Sequence, residues 1–77
     1  MEKIKTALDK ELIKEGLRID EISYKNHELS IIIDSDDVID INVIVKATKI
    51  INLILDKNDF IKEKYILDVS SKIKGGN

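Results

Sequence analysis

Four carboxylates crowd one short stretch of the chain: Asp34, Asp36, Asp37 and Asp40. Such oxygens could hold a calcium ion, but a calcium loop wraps them round a tight glycine turn, and no glycine falls among them. A turn ending in a helix N-cap at Asp40 explains the same residues without a ligand. The single histidine, His27, stands in the polar run Lys25-Asn26-His27-Glu28 with no nucleophile beside it, so it has no proton to take in a covalent mechanism. Ser70 and Ser71 lack the Gly-x-Ser-x-Gly elbow that exposes a nucleophile; strand termination and backbone hydrogen bonding are their expected work. The glycines are Gly16, Gly75 and Gly76, which leaves neither a phosphate-cradling loop nor the Gly-x-x-Gly clamp of a KH module. There is no cysteine, hence no thiolate metal site and no disulfide. The chain therefore reads as a binding domain and not as an enzyme, with no catalytic residue, no cofactor and no metal expected.

Cations are the other residues with chemistry to offer. Lys46 and Lys49, with Lys72 and Lys74 near the C-terminus, are placed to meet phosphates. Ordinary solubility explains surface lysines equally well. The formal net charge is −2, whereas a nucleic-acid module is usually basic as a whole. The aromatics are only Tyr24, Phe60 and Tyr65, and they are not interleaved with the lysines as a base-stacking platform would require.

These residues must be positioned by a small scaffold. Seventy-seven residues make one domain, and a hydrophobic share of 43% is too large for a disordered segment. No apolar run exceeds three residues, far short of the roughly 20 needed to cross a membrane. With no basic-then-apolar leader at the N-terminus, a cytoplasmic monomer is the default expectation.

The periodicity predicts an α+β fold in the order α-β-β-α-β. Ile4, Ala7, Leu8 and Leu12 recur at helical steps, predicting a helix over residues 2–15, with Gly16 as a left-handed cap. A strand follows over 18–25. Ile22 and Tyr24 share one face while Leu17 and Ile19 have the opposite parity, so either the strand bulges or its first residues belong to the helix exit. A turn at 25–28, with Asn26 tolerant of positive φ, leads to a second strand over 29–34. Asp40 caps a helix over 41–55 that ends in Asp56-Lys57-Asn58-Asp59. Its stripe of Ile44, Ala47, Ile51 and Ile54 or Leu55 is widened by Val43, Ile50 and Leu53, which predicts the more buried of the two helices. A third strand spans 65–70, with Tyr65, Leu67 and Val69 on one face and Ile66, Asp68 and Ser70 on the other. Two helices then cover one face of a three-stranded sheet. A right-handed crossover through the second helix makes strands two and three parallel; the place of the first strand is left open. Ile32 and Ile66 fall on the uncovered sheet face, a candidate protein-docking surface.

Three stretches resemble the N-terminal domain of the bacterial ribosome maturation factor RimP family. Leu29-Ser30-Ile31-Ile32-Ile33-Asp34 resembles its second strand, and Thr48 to Asp56 the end of its second helix. Tyr65-Ile66-Leu67-Asp68-Val69-Ser70-Ser71 is similar to its Tyr-x-Leu-Glu-Val-Ser-Ser segment. The resemblance covers residues 1–71 as the domain, with 72–77 as a tail or linker stub. Family members continue from Ser-Ser into Pro-Gly and Arg-Pro, where this chain has Lys72-Ile73-Lys74-Gly75-Gly76. A second, small β-barrel domain normally follows and is not part of these 77 residues, so the resemblance implies a first domain alone, carrying part of the family's activity. It implies a partner in the small ribosomal subunit, rRNA or a ribosomal protein, bound during assembly without catalysis. Lys46, Lys49, Ser70, Ser71, Lys72 and Lys74 are the contacts it suggests. The alternative is a protein–protein adaptor or a homodimer using the open sheet face or an exposed strand edge.

Overall fold

The structure, a computed structural model, describes residues 2–58 and 60–72. Helix α1 spans Glu2–Leu12 and buries Ile4, Leu8 and Leu12, one residue per turn on a single face. The expected helix over 2–15 is realised with its last turn tightened into a 3-10 turn, Ile13–Glu15. That tightening satisfies carbonyls an α-helical end would leave without partners. Gly16 N–H donates to the Ile13 carbonyl at 3.0 Å and Leu17 N–H to that of Leu12 at 3.0 Å. Gly16 has φ 75°, and a Cβ there would touch no other atom. It is therefore the backbone conformation, not space, that calls for glycine.

Strand β1 is Arg18–Lys25 and strand β2 is Glu28–Asp34, paired antiparallel with a register shift between Ile19 and Glu21. The parity conflict in the sequence is thus resolved by a bulge at Asp20, which lets Ile19, Ile22 and Tyr24 all reach the core side. Both turn residues, Asn26 at φ 52° and His27 at φ 62°, are left-handed, as a two-residue hairpin requires to match strand twist. Along β2, Leu29, Ile31 and Ile33 are fully buried.

Helix α2 spans Ile41–Asn58. Asp40 caps it, its Oδ1 accepting the Val43 N–H at 3.0 Å. The helix outruns the expected end at Leu55 by almost a turn, and Asn58 Nδ2 donates to the Ile54 carbonyl at 2.9 Å. Ala47, Ile51 and Leu55 are its buried residues. Leu53, expected in the buried stripe, is 70% exposed. At 100° per residue it lies about 120° round the helix from Ala47, beyond the arc the sheet can cover. Each helix has three buried residues, and α2 adds Val43, Ile44, Ile50 and Ile54, partly buried against the core, whereas α1 adds no such residue.

Strand β3 is Ile66–Ser71, one residue later at each end than periodicity suggested. It runs parallel to β2, and the sheet order is β1-β2-β3, so β2 is central. Helix α1 packs on β1 and α2 on β3, with the two helices against each other. Both layers close on one core of Ile4, Leu8, Leu12, Leu17, Ile19, Leu29, Ile31, Ile33, Ala47, Ile51 and Leu55. Of the predicted tail, Lys72 alone is described, its N–H donating to the Ile33 carbonyl at 2.8 Å; 73–77 lie outside the described residues. Among those described, no helix is long and apolar enough to cross a membrane.

Candidate functional site

The acidic loop is a structural device. Asp34, nearly buried, accepts from Arg18 Nη2 at 3.1 Å and from the Ser35 N–H at 2.8 Å. Ser35 Oγ donates to the Gly16 carbonyl at 3.0 Å and accepts the Asp37 N–H at 3.2 Å. Arg18 also reaches Asp36 at 3.3 Å. These carboxylates tie the β2–α2 loop to the exit of α1. Among the described residues no three acidic or histidine side chains converge as a metal site would need.

His27 belongs to another tether. Its Nε2 lies 3.0 Å from Glu63 Oε2, and the Tyr24 hydroxyl donates to the same oxygen at 2.7 Å. Glu63 thus pins the segment between α2 and β3 to the hairpin, a contact with no signal in sequence because 39 residues separate the partners. The hydrogen bond to Glu63 raises the Tyr24 pKa above the ordinary 10.0, and burial and the Glu63 charge act in the same sense. Tyr65 is also raised, chiefly by burial and then by the charge of Asp56.

The lysines singled out in the sequence fall in two places. Lys46 and Lys49 are exposed on α2. Lys46 pairs with Glu15, while Lys49 has no anionic partner among the described residues. Ser70, Ser71 and Lys72 lie at the end of β3 beside Ile33 and the bulge; Lys72 Nζ is 3.2 Å from Asp20 Oδ1. Ser70 is exposed and Ser71 half-buried. Lys74 lies outside the described residues. Lys46 and Ser71 sit toward the same end of the domain, but in opposite layers.

Two further lysines come together once the helices pack. Ala7, Lys10, Glu11, Ile50, Leu53, Ile54, Lys57 and Asn58 line a shallow groove of about 540 Å³ between α1 and α2. Lys10 and Lys57 stand on its two sides, again without an anionic partner among the described residues. They were missed in sequence because each looks like a solvated lysine on its own helix, and only helix–helix packing makes them neighbours.

Across the domain the charge reverses. Strand register puts Lys25, Glu28 and Ile66 in one row of the open sheet face, Ser23, Ser30 and Asp68 in the next, and Glu21, Ile32 and Ser70 in a third. Arg18 and Lys72 are neutralised by Asp34, Asp36 and Asp20, leaving Lys25 against Glu21, Glu28 and Asp68. Ile32 and Ile66 do share this face, Ile32 half-buried and Ile66 68% exposed. They are not neighbours: the rows of Ile66 and Ile32 are four β2 residues apart, about 13 Å at strand rise. The face is acidic with two separate apolar points.

With the fold and these surfaces described, the chain is matched over residues 4–72 by the family model for the RimP N-terminal domain. The chain belongs to the RimP N-terminal domain family. No curated protein matches it. RimP proteins are ribosome maturation factors, which are not enzymes, and their partners are ribosomal. The matched span takes in the core and all three strands, and the RimP-like Tyr-Ile-Leu-Asp-Val-Ser-Ser segment is β3 together with the tyrosine before it.

Proposed function

We propose that this domain binds the small ribosomal subunit during its assembly and acts without covalent chemistry, presenting its helix layer to rRNA phosphates. The observation that carries the proposal is the division of charge. Lys10, Lys49 and Lys57 stand unpaired on the helices, whereas the open sheet face repels phosphate through Glu21, Glu28 and Asp68. Membership of a maturation-factor family supplies the ribosomal context. Binding one arrangement of the immature subunit more tightly than another enriches that arrangement, and no further chemistry is needed. Lys46 extends the basic surface toward Glu15, while Ser70, Ser71 and Lys72 belong to a second contact at the end of β3.

The acidic sheet face supports the second reading, an adaptor surface. Its chemistry suits a basic protein, with Ile32 and Ile66 as separate anchoring points.

Co-sedimentation of the purified chain with small subunits, large subunits and bare rRNA at two salt concentrations tests both readings. Three phosphate contacts predict that affinity for small subunits falls roughly twenty- to forty-fold between about 50 and 200 mM salt. Lys49→Glu together with Lys57→Glu should flatten that dependence, and Ile32→Asp should leave it unchanged. Binding that Ile32→Asp abolishes and that Lys49→Glu with Lys57→Glu leaves unchanged would establish the adaptor reading instead. Failure to pellet with any subunit would sink both.

A further inference from the structure

The groove between α1 and α2 holds more than a phosphate surface needs. Its floor is aliphatic: Ala7, Ile50 and Ile54 are half-buried along it, and Leu53 beside them is 70% exposed. Glu11 and Asn58 add a carboxylate and an amide. A phosphate gains nothing from aliphatic carbon and is repelled by a carboxylate. The cations stand to the sides, Lys10 on α1 and Lys57 on α2, without an anionic partner among the described residues. This arrangement suits an occupant with an uncharged centre and an anion on either hand. A nucleotide within an RNA strand has that form, a base with a phosphate before it and a phosphate after it.

The polar groups fit the edge of a base. Glu11 accepts from Lys14 Nζ at 3.2 Å, and a carboxylate has lone pairs for further donors. Asn58 commits Nδ2 to the Ile54 carbonyl at 2.9 Å, and its amide oxygen has no partner among the described residues. The groove is also formed in advance. Leu8 and Leu12 of α1 share the core with Ile51 and Leu55 of α2, and Lys46 pairs with Glu15 across the two helices. Filling it therefore costs little ordering of the protein. Its volume of about 540 Å³ lies within the roughly 300–1,000 Å³ of small-ligand sites.

We propose that this groove takes an unpaired base of rRNA, its face on Ala7, Ile50, Leu53 and Ile54 and its flanking phosphates at Lys10 and Lys57. The inference rests on the rRNA reading above and deepens it, from phosphate contact to recognition of single-stranded RNA. Bases in a duplex are stacked and paired, whereas loops, bulges and ends can splay one outward. An extruded base is held between apolar side chains and read through its edge. An aliphatic side chain from an acidic protein would match the floor and the lysines. It would cover Glu11 and Asn58 without offering them a donor, which costs free energy.

Two probes test this on the full chain: a single strand of about twelve adenine and cytosine nucleotides, which cannot pair with itself, and the duplex it forms with its complement. Fluorescence anisotropy at about 50 mM salt gives the affinities, and methyl NMR shows where each RNA lies. If lysines alone bind, the duplex binds the tighter, because its phosphates are denser. The groove reverses this order, with the single strand at least about three-fold tighter. The Ala7, Ile50, Leu53 and Ile54 methyls then shift, and those of Ile32 and Ile66 on the open sheet face do not. Leu53→Ala, at an exposed site, weakens single-strand binding about three-fold or more and leaves the duplex unchanged. Three results overturn the proposal while keeping the phosphate reading: a duplex bound as tightly as the single strand, groove methyls unmoved by the single strand, or no effect of Leu53→Ala. Each would give the groove to an acidic protein instead. Binding of neither RNA would remove the proposal and the phosphate reading together.

Discussion

Gly16 shows how one residue can be essential through its backbone alone. Its φ of 75° closes the 3-10 turn and aims Leu17 into the core, while space for a side chain is open. Gly16→Ala should therefore cost about 1 kcal/mol through left-handed strain, with Gly16→Asn costing less; chemical denaturation would show it as a lower midpoint with an unchanged slope. Tyr24 makes a pH-dependent prediction. Its pKa is higher folded than unfolded, because the phenol donates to Glu63. The unfolded chain thus loses its proton first as pH rises. Stability from this group is complete below the unfolded value near 10 and is lost as pH climbs through the folded one. Thermal melts between about pH 8 and 11 should show a fall in stability in the alkaline range. Tyr24→Phe should make that fall shallower, and Tyr65, raised in the same direction, should account for part of what remains.

At the scale of elements, each boundary has a cause. Asp40 starts α2 because its carboxylate satisfies the Val43 N–H, so Asp40→Ala should destabilise the domain by about 1 kcal/mol, measurable by urea denaturation. The bulge in β1 is where side-chain parity and the need for burial disagree. Ile19 and Ile22 are both wanted on the core side, and one extra residue, Asp20, reconciles them. The β1–β2 turn places two consecutive left-handed residues, Asn26 and His27. Asparagine announces such a turn, whereas histidine does not. Helix α2 runs on through Asp56-Lys57-Asn58, which reads as polar punctuation, because a solvated helix face tolerates the same residues.

For the whole molecule, the decisive contrast is between neighbours in sequence that the packing separates. Ile51 is fully buried and Leu53 is 70% exposed, although both read as part of one apolar stripe. Ile51→Ala should cost about 2–5 kcal/mol. In a domain with about 5 kcal/mol in total, that removes close to half of the stability or more. Leu53→Ala should change stability by less than about 0.5 kcal/mol. Paired melting curves would separate the two.

The sequence by itself determined the element order, the core positions of β2 and the Asp40 cap. Hydrophobic period and capping chemistry are local properties that a chain carries before it folds. The family was equally readable, since each of its motifs is an unbroken stretch within β2, α2 or β3. Only the tertiary structure decided what lies beside what. It put β2 in the centre, set Ile32 and Ile66 in separate rows, and brought Lys10 and Lys57 to the sides of one groove. Such relations join residues far apart in the chain, and they come from the packing of helices and the register of strands, which no local pattern encodes.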